Sequence, residues 1–219
     1  MTSRGLFITF EGTEGSGKST QARMLAERLR REGFDVIESQ EPGGTPIGVQ
    51  IRRILLDGAN TELSPTTELL LNFAARAQNV DQWILPGLAA GKIIVSDRFT
   101  DSTLAFQGAG RGLGRDLVME VDAIACRGVK PDLTICVTID LDLGLGRAQA
   151  RNAESGATET RLDDEALDFH RRALDEYHRL AREESERFKL VDGGRSLEEV
   201  SGDVWLLTEP LLLHRHLRS

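Results

Sequence analysis

Lysine is scarce in this chain of 219 residues. Lys18, Lys92, Lys130 and Lys189 are the only four, and the other 23 basic residues are arginines. The 35 acidic residues outnumber both together and leave a formal net charge of −8. A body this acidic lacks the positive surface that coats nucleic acid or an anionic membrane, so neither is expected as a partner. Cysteine is nearly absent as well. Cys126 and Cys136 stand ten apart, match no redox or zinc spacing, and read as buried free thiols of a reducing cytoplasm. No stretch approaches the ~20 apolar residues of a membrane span. The short apolar run Gly5–Phe10 ends at Glu11 without a cleavage-like site, so no secretory leader is expected. The four histidines (His170, His178, His214 and His216) show no metal spacing with a carboxylate or cysteine and read as structural or solvated. No internal repeat, linker or low-complexity run interrupts the chain, so residues 1–219 are expected to form one domain.

What is present is an alternation of strands and helices. Short β-branched or apolar runs at Gly5–Phe10, Phe34–Glu38, Lys92–Ser96, Asp132–Ile139 and Phe188–Val191 predict buried strands. Helical periodicity predicts helices over Ser19–Arg31, Ile47–Leu56, Thr66–Ala90, Ser102–Gln107, Arg115–Cys126, Gly144–Arg151, Asp163–Arg187 and Leu197–Leu207. A glycine-rich link, Gly108 to Gly114, lies between two of them. Such alternation argues for an α/β fold with a five-stranded parallel sheet covered on both faces. The small polar stretch Asn152–Thr160 reads as a mobile loop between two helices.

Three segments carry chemistry. Gly12-Thr13-Glu14-Gly15-Ser16-Gly17-Lys18-Ser19, followed by Thr20, fits G-x-x-x-x-G-K-[ST] in full, with a buried strand before it and an amphipathic helix after it. The glycines let successive amides point into one anion-binding concavity. Lys18 should then reach the β- and γ-phosphates of a nucleotide, and the Ser19 hydroxyl should sit on Mg²⁺. The second segment is Asp97-Arg98, directly after a strand. A carboxylate there can hold Mg²⁺, usually through water, and the arginine would project toward the same phosphates. The third is the set Arg147, Arg151 and Arg161 flanking the polar loop. Phosphoryl transfer needs positive charge where the transferring group spreads its negative charge, and a closing arm can deliver it. Arg147 and Arg151 are spaced i, i+4 and share a helix face. The phosphate loop alone leaves open whether water or a second substrate accepts the phosphoryl group.

The order of FEGTEGSGKST (10–20), EPGGTPIG (41–48), LLLNFAARAQNV (69–80), VSDRFTDSTLAFQGAGRG (95–112), ETRLDDEALDFHRRALDEYHRLA (159–181) and FKLVDG (188–193) resembles the bacterial thymidylate kinases over nearly the whole chain. The EPGGT and DRF segments are far more specific than the phosphate loop. The resemblance implies a P-loop three-layer sandwich with a short helical lid at about 142–162, transfer of a phosphoryl group from ATP to dTMP with Mg²⁺, a cytoplasmic location and a homodimer. Glu14 matches the acidic residue facing the acceptor's sugar, Glu41 and Pro42 line the acceptor pocket, and Arg52 lies near base and sugar. Phe73 would stack on thymine and Arg76 would donate to a base carbonyl, a pairing that their i, i+3 spacing allows. Arg98 would hold the acceptor phosphate, Thr103 the base edge, and Phe106 and Gln107 the sugar and base. The phosphate loop carries no arginine while the lid carries three, which fits members whose catalytic arginine sits in the lid, here Arg151 with Arg147 supporting.

The chain departs from the family pattern at Gln40, often arginine, at Asn72, where the stacking aromatic often stands, and at Phe106, often tyrosine. Two other readings stay open on the residues alone. One is a kinase for another monophosphate or small metabolite. The other is a nucleotide-dependent switch, which the absence of an N-K-x-D motif weakens for GTP.

Overall fold

The computed structural model describes residues 4–155 and 158–216. Five strands, β1 (Leu6–Glu11), β2 (Val36–Gln40), β3 (Ile93–Asp97), β4 (Leu133–Thr138) and β5 (Phe188–Asp192), form one parallel sheet in the order β2-β3-β1-β4-β5. Register is set by pairs such as Phe7 with Ile94 and Phe10 with both Asp97 and Ile135. The period-two alternation of β1 sorts its side chains. Leu6, Ile8 and Phe10 pack with Leu25, Leu29, Val204 and Leu212 of the helices α1 (Lys18–Arg31) and α9 (Leu197–His216). Phe7 packs on the other face with Phe73, Val118, Phe169 and Tyr177 of α3 (Pro65–Asn79), α6 (Arg115–Cys126) and α8 (Leu167–Glu183). Both faces are therefore covered, as a parallel sheet requires. Thr9 and Glu11 follow Phe7 on that second face, so it turns polar toward the carboxyl end of the sheet.

The helices begin where local chemistry favours it. The Thr45 hydroxyl accepts from Gly48 N at 2.9 Å and Pro46 takes the first position of α2 (Pro46–Leu56). Ser64 and Pro65 do the same for α3. The helix expected over Thr66–Ala90 is continuous but changes pitch. A π-helical stretch, Val80–Ile84, joins α3 to α4 (Leu85–Ala89), just before Pro86, which has no N–H to donate. A second wide turn, Leu104–Gly110, extends α5 (Thr100–Thr103) and absorbs the first part of the expected glycine link. The loop expected from Asn152 starts later. The helix α7 (Leu141–Ser155) runs through Ala153 and Glu154, both compatible with helix, while residues 156 and 157 lie outside the described residues. The last helix also outruns its expected end at Leu207. The side chains of His214 and His216 lie outside the described residues. Cys126 and Cys136 are free and buried. No helix among the described residues is long and apolar enough to cross a membrane.

Phe7 is fully buried and meets the Phe99 ring edge-on at 4.9 Å between centroids. Phe7→Ala should lower unfolding free energy by about 3–5 kcal/mol, read from urea denaturation midpoints at constant slope. A loss below about 1 kcal/mol would show that this face is not packed as described.

Candidate active site

β1 delivers the chain into a glycine turn whose geometry tolerates no side chain. Gly12 has φ +137°, and a Cβ there would lie 2.1 Å from the Val137 carbonyl oxygen. At Gly15, φ is +66° and a Cβ would meet the Gly144 carbonyl oxygen at 2.0 Å, so the start of α7 sits directly against this loop. The N-terminus of α1 has no side-chain cap and no acidic residue in its first turn, which leaves its amides for an incoming anion. Inside the turn the hydroxyls of Thr13 and Ser16 are buried without hydrogen-bond partners. Lys18 is buried, donates to Thr13 O at 3.3 Å and lies 3.5 Å from Glu14 Oε2. These are the features of a phosphate cradle.

Beside it, β3 ends at Asp97 and the chain turns through Arg98 with φ +75°, a left-handed conformation that arginine rarely adopts. The Arg98 guanidinium donates from Nη1 to Ser102 Oγ at 2.9 Å, pairs through Nη2 with Glu14, and stacks 4.8 Å over the Phe106 ring. Burial works against its charge, but Glu14, then Tyr177, Asp97 and Glu11, outweigh that and hold it protonated. Burial likewise would raise the Glu14 carboxyl, yet Lys18, Arg98, Arg151 and His170 bring it down to about 2. Ser19 and Asp97 both line this cleft, and Asp97 Oδ1 is buried with no partner. One hydroxyl and one unspent carboxylate oxygen fit a divalent cation that takes its other ligands from phosphate and water. Among the described residues no group of three His, Cys, Asp or Glu side chains could hold a metal unaided.

The cleft has a volume of about 340 Å³ and continues from the phosphate cradle to a wall built from α3, the α5 turn and the Glu41-Pro42 segment. There Arg76 is almost fully buried. Its Nε donates to Glu41 at 2.5 Å, Nη1 to Thr103 Oγ1 at 2.9 Å and Nη2 to the Phe99 carbonyl at 3.0 Å. Glu41 also accepts from Asn79 at 3.0 Å. Gln107 donates to Glu68 at 2.7 Å, and Glu68 in turn pairs with Arg111 and Arg161. On the opposite side Arg151 reaches the cleft from α7, with Nη2 3.3 Å from Asp163 Oδ2. The segment after the arm docks on α2. Thr158 O accepts from Gly58 N at 2.9 Å, and Glu159 takes two donors from Arg52 at 2.9 and 2.7 Å.

A phosphate cradle, Arg98 and a polar wall thus share one cleft. A family profile described as thymidylate kinase matches residues 10–204. The chain belongs to the thymidylate kinase family. A thymidylate kinase of Pelobacter propionicus is 49% identical over 198 residues, spanning 90% of either chain. One from Halothermothrix orenii is 48% identical, over 92% of this chain and 95% of its own. The crystal structure of thymidylate kinase from Ehrlichia chaffeensis superposes with a TM-score of 0.74 at 29% identity, covering 94% of this chain and 99% of that one. This likeness fits the P-loop sandwich expected from the sequence.

Against that family pattern, Glu14, Lys18, Ser19, Glu41, Pro42, Arg52, Arg76, Asp97, Arg98, Thr103, Phe106, Gln107 and Arg151 converge on the cleft. Three of the expected residues do not line the cleft. Phe73 is 2% exposed and sits in the core, where the Arg76 guanidinium lies 4.8 Å over its ring; its neighbour Asn72 lines the cleft instead. Arg147 points to solvent and makes no ion pair among the described residues, because one helical turn along α7 separates it from the cleft end. Arg161 is buried beneath the cleft, donating to Leu55 O at 2.5 Å and pairing with Glu68 at 2.7 Å, so it is a structural arginine. Ser102, Asn152, Leu162 and Asp163 also line the cleft and escaped the sequence reading. Asp163 and Leu162 stood inside the matching segment 159–181, but only the docking of that segment on α2 turns them inward.

Glu14 titrates far below an ordinary carboxylate. Its contribution is therefore present above about pH 4.5 and is lost as pH falls toward 2. Glu14→Gln should cost roughly 3 kcal/mol of unfolding free energy at pH 7, with the gap to wild type closing as pH falls through that window. A gap independent of pH between 7 and 2 would exclude the pairing described.

Proposed function

We propose that this chain transfers the γ-phosphoryl group of ATP to dTMP, giving ADP and dTDP. The observation that carries the reading is the single cleft in which the phosphate cradle and Arg98 lie side by side, with the Arg76–Thr103–Gln107 wall beyond them. The loop amides and Lys18 would hold the donor phosphates. Ser19 and Asp97 would hold Mg²⁺, which when bound neutralises phosphate charge. Arg98 would grip the acceptor phosphate, trading its Glu14 partner for it, while Glu14 turns to the sugar. Arg151 would cover the charge that spreads over the transferring group. The acceptor is already a phosphate oxyanion, so positioning suffices and no general base is needed. Arg76 has two guanidinium N–H groups beyond its three bonds, available to a base carbonyl. With Asn72 rather than an aromatic ring on that wall, the base would be held more by hydrogen bonds than by stacking.

The reading extends to one kinase domain whose lid spans about 142–162, working as a cytoplasmic homodimer. The exposed apolar side chains Ile47 and Ile54 on α2, Leu70 on α3 and Leu117 and Ile124 on α6 support the dimer, because these helices pack on one another.

ADP release measured across dTMP, dUMP, CMP and AMP should favour dTMP by kcat/KM, and turnover of another monophosphate in its place would overturn the assignment. Arg98→Ala should raise the dTMP KM and lower kcat, with kcat/KM down about 10²-fold; unchanged dTMP kinetics would refute its role.

Arg151→Ala should lower kcat by about 10²-fold or more with little change in dTMP affinity. A loss confined to dTMP binding would refute the lid role.

A further inference from the structure

We propose that Glu11 is a positioning residue for the acceptor arginine: it fixes the turn and the side chain of Arg98 and so sets acceptor binding without touching substrate. Glu11 is the last residue of β1, fully buried, and not part of the cleft wall. Its Oε1 accepts from Phe99 N at 2.8 Å, the amide that follows Arg98. Its Oε2 accepts from the Ser102 hydroxyl and, at 3.2 Å, from the hydroxyl of Tyr177, the chain's one tyrosine. The Arg98 amide itself donates to Phe10 O at 2.9 Å. Two successive amides are therefore anchored to the end of β1, which holds Arg98 in its left-handed conformation.

The direction of the hydrogen bonds explains why a carboxylate stands here. The Ser102 and Tyr177 hydroxyls both donate to the one oxygen Oε2, which a carboxyl oxygen with two lone pairs can accept. That turns the lone pairs of Ser102 Oγ toward Arg98 Nη1, which only donates, at 2.9 Å. A glutamine amide would offer protons to the same hydroxyls and compete with the arginine for them. The arrangement is costly. Burial and Asp101 push the Glu11 carboxyl up to about 7, against the pull of Arg98, Ser102 and the Phe99 amide, with Tyr177 and the Cys136 thiol also facing it. A fully buried carboxyl that takes three donors from the turn carrying Arg98 and from Tyr177 marks function more than stability.

The inference rests on Arg98 gripping the acceptor phosphate. Turnover of dTMP by the unmodified enzyme tests that reading separately, and the variants below then test Glu11. Glu11→Gln should raise the dTMP KM about tenfold and leave the ATP KM within about twofold. In an Arg98→Ala background the same change should add nothing further to the dTMP KM, because Glu11 acts through that arginine. Tyr177→Phe, outside the cleft, should give the same split at about threefold, and it carries the comparison if the Glu11→Gln chain does not fold. An unchanged dTMP KM, an equal rise in both KM values, or effects of Glu11 and Arg98 that multiply would overturn the proposal.

Discussion

Each arginine that reaches the cleft arrives already matched to a carboxylate. Arg98 is paired with Glu14, Arg76 with Glu41, Arg52 with Glu159 and Arg151 with Asp163. A buried guanidinium without a counter-charge would cost several kcal/mol, so the fold can hold Arg76 and Arg98 only on this condition, while Arg52 and Arg151 keep part of their hydration. The acidic surplus of the chain is thus partly spent in the cleft. A phosphate entering this cleft would meet negative charge already present, and its binding would be an exchange of carboxylate for phosphate. Affinity then depends on the difference between the two partners, which favours a ligand whose charges fall where Glu14 and Asp163 can yield.

The same pairs tie the cleft's two sides together. Glu159 and Asp163 lie on the segment that returns from α7, while Arg52 lies on α2, which flanks the acceptor wall. Glu68, at the base of that wall, gathers Gln107, Arg111 and the buried Arg161 into one network. Gln107 of the cleft wall and Arg161 of the segment carrying Asp163 therefore share a carboxylate. Occupancy of the acceptor wall and placement of the arm rest on common contacts, so neither can shift without disturbing the other.

Much of this was legible in the sequence, because local chemistry dictates it. The glycine turn between a buried strand and an amphipathic helix admits one conformation, and five short apolar runs separated by helices admit few sheets. Legibility failed where a residue's direction is set by how a helix tilts against its neighbours. Spacing put Phe73 and Arg76 on one face of α3, and the guanidinium does lie over the ring, but Phe73 sits beneath it in the core while Arg76 and Asn72 line the cleft. Spacing likewise put Arg147 and Arg151 on one face of α7, yet a single turn separates the one in solvent from the one at the cleft. Arg161 was drawn to the site by its charge, whereas its Nε found the Leu55 carbonyl at the end of α2.

Glu11 belongs to a third class, chemistry that neither spacing nor charge could expose. In the sequence it is simply the polar residue that ends an apolar strand. Its meaning comes from alternation along β1: on the face shared by Phe7 and Thr9 it reaches the turn after β3. There it meets the amide after Arg98, and the serine and tyrosine hydroxyls that brace the guanidinium. The phosphate loop and Arg98, which follow neighbouring strands, are thus joined through one side chain at the base of the turn. Donor and acceptor sites are held in register by the sheet itself, and Glu11 carries that register from the backbone of β1 to the side chain of Arg98.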